Sequence, residues 1–318
     1  MNKVYIIHEN DEWIIPLRVE LKKIGTPFEE WHMSKGNINL SKEPPFGVFY
    51  NRMSASSHTR GHFYAPEYTK IILNWLESYS RRIVNNSRAL SLELDKSLQY
   101  AELNKLGLKT PETYYAVGKD EIIKAGAKFK QPFITKHNRA GKGLGVYLFN
   151  NLMELRNYVY GENFQESRDG ITLIQEYIKS PISAIVRVEF VNSKFLYAVQ
   201  VDASEGFELC PAEPCQADEK FCPSNETGNK FMILDNFNNP VIQQYENVIN
   251  TNGIEIAGIE FITSELGKIY TYDINTNTNY NSEAEKLSDI KGMKSIAEFL
   301  TQELKLVTQY TNLLRKVS

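Results

Sequence analysis

FITKHNRAGKGLG, residues 133–145, is the stretch that decides how this chain is read. Phe133 and Ile134 predict a strand that delivers Lys136 near its end. Gly141, Gly143 and Gly145 follow in a loop, and VYLF at 146–149 predicts a second strand directly after it. Glycines let backbone amides approach a polyphosphate, and the lysine supplies a point charge. This is not a Walker loop, because no Lys-Ser or Lys-Thr carries the last glycine into a helix. Nor is it a dinucleotide fingerprint, since a strand follows where a helix should stand. Taken by itself, the segment suits a flexible hairpin with surface lysines equally well.

Working outward, strands are predicted at 256–263 and 268–274, carrying Glu260 and then Asp273-Ile274-Asn275. Carboxylate and amide oxygens near the ends of neighbouring strands suit hard cations. Magnesium held this way bridges phosphate oxygens. Acidic residues on a wet sheet face give the same pattern. Gln175, Glu176, Tyr177 and Ile178 follow the apolar run 171–174 as a short extended linker, able to offer backbone hydrogen bonds to an adenine edge. A solvated strand end reads alike.

The first 85 or so residues alternate strand and helix signals. An apolar run at 4–7 precedes Ile14, Leu17, Leu21 and Ile24 at helical spacing, with Gly25 as a stop. Residues 47–50 form a second strand, Pro66 opens a helix, and residues 82–84 are strand-like. Strands alternating with helices point to an open α/β unit with a parallel sheet. Beyond it, Asp95 caps a helix ending at Gly107, and a helix is predicted over 152–160. Strands at 185–191 and 195–201 flank a turn at 192–194, and Gly267 serves the second strand pair. Met293, Ile296, Leu300, Leu304 and Val307 mark one face of a closing helix. The sum is an α/β N-terminal domain followed by two α+β lobes.

The chain has 318 residues, 42% hydrophobic and 24% charged, with a net charge of -3, as a globular chain does. That balance supplies no broad attraction for nucleic acid or anionic lipid. No stretch approaches the roughly 20 apolar residues of a membrane span, and residues 1–8 read as a strand rather than a signal peptide. Three cysteines, Cys210, Cys215 and Cys222, lack the CxxC spacing of a zinc site and read as thiols of a reduced, cytoplasmic protein.

The order of these pieces resembles the ATP-grasp ligases, and among them the RimK-type glutamate ligases. Lys96, Lys136 with its glycine loop, Gln175-Glu176, Arg187, Glu260 and Asp273-Ile274-Asn275 stand in one succession. Residues 51–55 (NRMSA) are similar to the family's arginine-bearing strand end. Residues 84–89 (VNNSRA), with Asp95-Lys96, resemble the start of its central lobe, and 106–113 (LGLKTPET) the passage that follows. The likeness covers about residues 48–285.

The resemblance implies an ATP-grasp fold: a pre-ATP-grasp domain over 1–88, a central lobe over 89–178 and a C-terminal lobe over 179–318. It implies that Lys96 and Lys136 hold the phosphates of ATP, with Gly141, Gly143 and Gly145 folding over them. Gln175, Glu176, Tyr177 and Ile178 would border the adenine. Arg187 would stabilise the transferring phosphate or the acyl carbonyl, and Glu260, Asp273 and Asn275 would bind two Mg2+ ions. A carboxylate then becomes an acyl phosphate that an amine attacks, so small-molecule or peptide carboxylates and amines are the expected partners. Homo-oligomerisation is left open. A kinase that stops after phosphoryl transfer, or a non-catalytic ATP-binding module, would use the same residues.

Two departures stand out. Ile185 replaces the aspartate usual two positions before the arginine, and Asp273 replaces the usual glutamate. Arg52 and Arg60 flank a small polar stretch and are the candidates for gripping a substrate carboxylate, since arginine forks bind carboxylates bidentately. His58 and His62 in the same stretch suit acid–base work or simply a loop. Residues 204–229 read as a lid or acceptor-binding loop.

Overall fold

The computed structural model describes residues 1–141, 143, 145–204, 230–286 and 288–317. The first sheet has four parallel strands, β1 (Lys3–His8), β2 (Phe28–His32), β3 (Gly47–Asn51) and β4 (Arg82–Val84), in the order β2-β1-β3-β4. Parallel neighbours need crossovers, supplied by α1 (Ile15–Ile24) and α2 (Ala65–Ser78). Gly25 ends α1 at φ 78°, donating to the Leu21 and Lys22 carbonyls. β3 is buried along its whole length, as strands covered on both faces are. The sequence reading passed over β2, because Phe28-Glu29-Glu30-Trp31-His32 carries charge where an apolar run is expected. An edge strand needs only one bonded neighbour and tolerates that charge.

α3 (Ser87–Leu94) and α4 (Lys96–Lys105) follow, each with an acceptor side chain at its N-cap. Asn86 accepts from the Arg88 and Ala89 amides, and Asp95 from those of Ser97 and Leu98. The second sheet is antiparallel: β5 (Thr113–Val117), β6 (Phe133–His137), β7 (Tyr147–Phe149) and β8 (Ile171–Glu176) in the order β5-β8-β6-β7. α5 (Lys119–Gly126) and α6 (Leu152–Tyr160) share an apolar cluster with this sheet, built on Ile122, Phe133, Phe149, Leu155 and Ile174.

The third sheet is also antiparallel: β9 (Ala184–Val191), β10 (Lys194–Asp202), β11 (Phe231–Ile233), β12 (Ile256–Thr263) and β13 (Ile269–Asn275), ordered β11-β10-β9-β12-β13. Asn192 and Ser193, both at φ 55°, make the tight β9–β10 turn that a hairpin's twist favours. α7 (Val241–Thr251), unanticipated like α3 and α5, covers this sheet with Tyr245, Val248 and Ile249. Ala89, Leu92, Tyr100 and Leu103 of α3 and α4 join the same core.

After the short α8 (Ser282–Lys286), the closing α9 (Gly292–Val317) returns to the first sheet. Its Met293, Ile296, Leu300 and Leu304 pack on Val4, Ile6, Leu17 and Leu21. Buried Asn85 ties the first sheet to the third: its amide donates to the Ile256 and Thr276 carbonyls and accepts from the Glu255 and Ile256 amides. Among the described residues no helix is long and apolar enough to cross a membrane.

Candidate active site

Strand periodicity builds the acidic half of the site. Side chains two apart share a face, so Arg187 and Glu189 of β9, Gly258 and Glu260 of β12, and Asp273 and Asn275 of β13 all project together. Register then sets them in rows: Glu260 lies opposite Arg187 on one side and Asp273 on the other. Between Glu260 and Phe261 the β12–β13 register slips by one residue, so Tyr272 has no opposite number. Such a bulge bends the strand and re-aims the side chains beside it.

Arg187 is buried and fully engaged. It donates to Glu189 at 2.5 Å, to Glu260 at 2.9 Å and to Thr278 Oγ1 at 2.7 Å. Burial works against its charge, yet Glu189 and Glu260 raise its pKa above the ordinary guanidinium value. Its guanidinium lies flat over Gly258, where a Cβ would come within 2.5 Å of Nη2. Asn275 donates its amide nitrogen to Glu260 Oε1 at 3.3 Å.

Two lysines come from elsewhere in the chain. Lys96, in the first turn of α4, reaches Asp273 Oδ1 at 2.5 Å. Burial alone would raise the Asp273 pKa, but Lys96 and Lys136 together hold it below the ordinary carboxylate value. Lys136, from β6, donates to the Tyr272 carbonyl at 3.3 Å and sits 5.1 Å from that ring's centre. Burial lowers its pKa, with Asp273 and Glu260 pulling the other way.

A cavity of about 350 Å³ opens beside these groups. Lys136, Arg187, Glu260, Asp273 and Asn275 line it together with Gly141 and Gly143. Gln175, Glu176, Tyr177 and Ile178 also line it. The Gln175 side chain is locked inward by Tyr100 Oη at 2.9 Å and Thr113 Oγ1 at 2.8 Å. Ile185 lines the cavity and is buried, adding apolar surface where the family resemblance led us to look for a carboxylate. Gly145, at φ 73°, faces His137 instead: a Cβ there would lie 2.4 Å from that ring.

The two candidate substrate arginines separate. Arg52 is buried and holds the segment after β13, donating to Asn277 Oδ1 at 3.1 Å, the Thr278 carbonyl at 3.0 Å and Asn279 Oδ1 at 2.8 Å. Arg60 forks onto Glu9 and lies 4.7 Å over the Trp13 ring. Trp13, with Ser54 and Ser56, lines the cavity. His62 pairs with Glu9 at 2.9 Å, and His58 faces the Ala55 carbonyl at 3.2 Å. Of the expected loop at 204–229, residues 205–229 with the three cysteines lie outside the described residues.

Sequence reasoning missed Glu93, Glu189, Tyr272 and Thr278. Glu189 had a usable signal, because it lies two positions from Arg187 on a strand. Glu93 had none. From α3 it accepts from the Ala55 amide at 3.2 Å and the Thr276 amide at 2.7 Å, tying the loop after β3 to the segment after β13. Burial pushes its pKa up to about 7, against the pull of those two amides.

The donor set fits a hard divalent cation. It offers two carboxylates, and an amide whose nitrogen is already committed to Glu260, which leaves its oxygen as the donor. Arginine and lysine beside them suit an anionic ligand rich in oxygen.

Comparison with known proteins agrees with this chemistry. Residues 94–208 match the RimK-like ATP-grasp domain. The glutamate–LysW ligase ArgX of Sulfolobus acidocaldarius is 27% identical over 193 residues, 59% of this chain and 67% of that protein. Beta-citrylglutamate synthase B of Danio rerio is 22% identical over 212 residues, 66% of this chain but only 48% of its own length. Among solved structures, the RimK domain ATP-grasp protein of Sphaerobacter thermophilus superposes with a TM-score of 0.64 at 15% identity, covering 94% of this chain and 99% of that one. The ATP-grasp ligase PsnB, complexed with minimal precursor, Mg and ADP, gives 0.64 at 11% identity, covering 96% and 99%. At those identities the structural matches establish a shared fold.

Proposed function

We propose that this chain is a RimK-like ATP-grasp ligase, as its match over residues 94–208 and its similarity to a glutamate–LysW ligase support, and that it joins a carboxylate to an amine through an acyl phosphate. The observation that carries this reading is that Lys136, Arg187, Glu260 and Asp273 line one cavity, with Lys96 just behind its wall and paired to Asp273. We assign the division into 1–88, 89–178 and 179–318 on the strength of the three sheets, with α9 packing back on the first sheet and α3 and α4 on the core of the third.

Lys96 and Lys136 hold the ATP phosphates, and the backbone at Gly141, Gly143 and Gly145 closes over them. Gln175, Glu176, Tyr177 and Ile178 border the adenine. Glu260, Asp273 and Asn275 would hold Mg2+, whose chemistry there would be neutralisation of phosphate charge. The substrate carboxylate attacks the γ-phosphorus, the bond to the β-phosphate oxygen breaks, and ADP leaves. An amine nitrogen then attacks the acyl carbon, gives up a proton, and phosphate departs. Arg187 stabilises the oxygen charge of both steps, and the chain contributes position and charge rather than a covalent bond.

Arg60, stacked on the cavity-lining Trp13, is the residue proposed to grip the substrate carboxylate; Arg52, which does not itself line the cavity, positions the lining residues Asn277 and Asn279 for that substrate. An amino acid or peptide is the substrate class, with glutamate the first to try because the named relatives handle it. A reduced, cytoplasmic setting suits such a reaction.

The test uses substrate labelled with oxygen-18 in its carboxylate, supplied with ATP, magnesium and candidate amines. Transfer of one labelled oxygen into inorganic phosphate is the expected result. Label retained in a stable acyl phosphate that needs no amine would show a kinase instead. ATP binding without any nucleotide turnover would show a non-catalytic ATP-binding module instead.

A further inference from the structure

Away from the cavity, the carboxyl ends of β1 and β2 bring two histidines and an aspartate together. His8, Asp11 and His32 each present a ligand atom, all within 4.8 Å of one another. We infer that these three residues form a binding site for an imidazole-preferring divalent transition-metal ion, for which zinc is the probe. It is separate from the magnesium ligands and serves to brace the β1–α1 segment.

The surroundings of His8 point to a ligand. His8 is 3% exposed, and neither of its ring nitrogens finds a hydrogen-bond partner. A buried polar atom without a partner is costly, so an unpaired imidazole at a cluster of donors asks for something to bind. Among the described residues the carboxylate paired with it is Glu30 at 3.5 Å, and Glu30 already takes a two-pronged bond from Arg18 at 2.8 Å on each arm.

His32 faces the same point. Its Nδ1 accepts from the Ser34 amide at 3.3 Å and lies 2.8 Å from Ser34 Oγ, while Nε2 faces Asp11 Oδ2 at 3.8 Å. An ion bound at Nε2 would displace that nitrogen's proton, as ligation by an imidazole requires. The rings of His8 and His32 meet edge to face, 5.1 Å between centres, so both are anchored by contact as well as by strand position. Ligand atoms around zinc lie about 3.4 Å apart when bonds are about 2.0–2.1 Å. Drawing in from 4.8 Å requires modest movement, which Asp11, at 76% side-chain exposure, is free to make.

Two imidazoles and one carboxylate suit zinc or a neighbouring first-row ion and not magnesium, which prefers an all-oxygen shell. The segment that an ion here would brace is not idle. Glu9 directly follows His8 and holds Arg60 and His62, and Trp13 lies two residues beyond Asp11 on the cavity wall.

The experiment is a zinc titration of tag-free, chelator-stripped protein by calorimetry, with magnesium present and the three cysteines alkylated so that thiolates do not compete. Cobalt substitution, read by visible absorption, reports the ligand type. One zinc per chain is expected, with a cobalt spectrum free of thiolate charge transfer. His32→Ala and Asp11→Asn, both at partly exposed side chains, each weaken binding by more than about tenfold. His8→Ala removes binding, but it also opens a buried site, so the two exposed variants decide the matter. No stoichiometric zinc uptake by the unmodified sequence, or unchanged affinity in both exposed variants, overturns the proposal.

Discussion

Lys96 and Asp273 stand 177 positions apart in the chain and meet at 2.5 Å, joining the start of α4 to the end of the third sheet. Their side chains are only 6% and 15% exposed. Removing one partner of such a pair strands the other without compensation, at a cost of roughly 3 kcal/mol. Lys96→Met and Asp273→Asn should each lower denaturant stability by about that much. The double variant should lose less than the sum; strict additivity in the double-mutant cycle would mean the contact carries no coupling.

Lys136 differs, because burial already disfavours its charge. Lys136→Ala should reduce ADP release by about a hundredfold, the usual effect of deleting one charged contact to a transferring group. The melting temperature should change little. Turnover at the original rate would take this lysine out of the mechanism.

Gly258 provides a probe that replaces no charged residue. A Cβ there would stand 2.5–2.6 Å from the Arg187 guanidinium, so Gly258→Ala must displace it. The arginine head is the movable end of a side chain, and the fold should survive with a stability loss of about 1 kcal/mol. Its three bonds to Glu189, Glu260 and Thr278 would be disturbed, and activity should fall at least about tenfold. Full activity in Gly258→Ala would show that Arg187 need not lie flat.

Magnesium dependence reports on the acidic row. Asp273→Asn keeps the shape of the side chain but removes its charge, so the magnesium concentration for half-maximal ADP release should rise by about tenfold or more. An unaltered magnesium curve would move the ligand role to other oxygens.

Glu93 predicts a pH dependence of stability. Its carboxyl titrates near 4.5 in the unfolded chain and at about 7 in the folded one, so the native state binds the extra proton between those values. The resulting stabilisation is fully present below pH 4.5 and is lost as pH rises through about 7. Its total is on the order of 3 kcal/mol. Glu93→Gln mimics the protonated form, so unfolding free energy of the native sequence should decline relative to the variant across that interval. Parallel pH curves would mean that Glu93 titrates normally.

The local elements of this protein were determined by neighbours in sequence. Strand runs such as Ile256–Thr263, the cap at Asp95 and the stop at Gly25 rest on a β-branched apolar run, a short acceptor and a left-handed backbone, all of which act within a few residues. The succession of Lys96, Lys136, Arg187, Glu260 and Asp273 was legible for the same reason: each sits at a recognisable place on its own element. What only the tertiary structure decided is which groups meet. Glu93 reaches Thr276, Arg52 reaches Asn279, and His8 faces His32 because separate elements pack together, and no local preference encodes that meeting. The charged edge strand Phe28–His32 likewise formed because β1 offered it a bonding partner, a long-range stabilisation that its own residues do not announce.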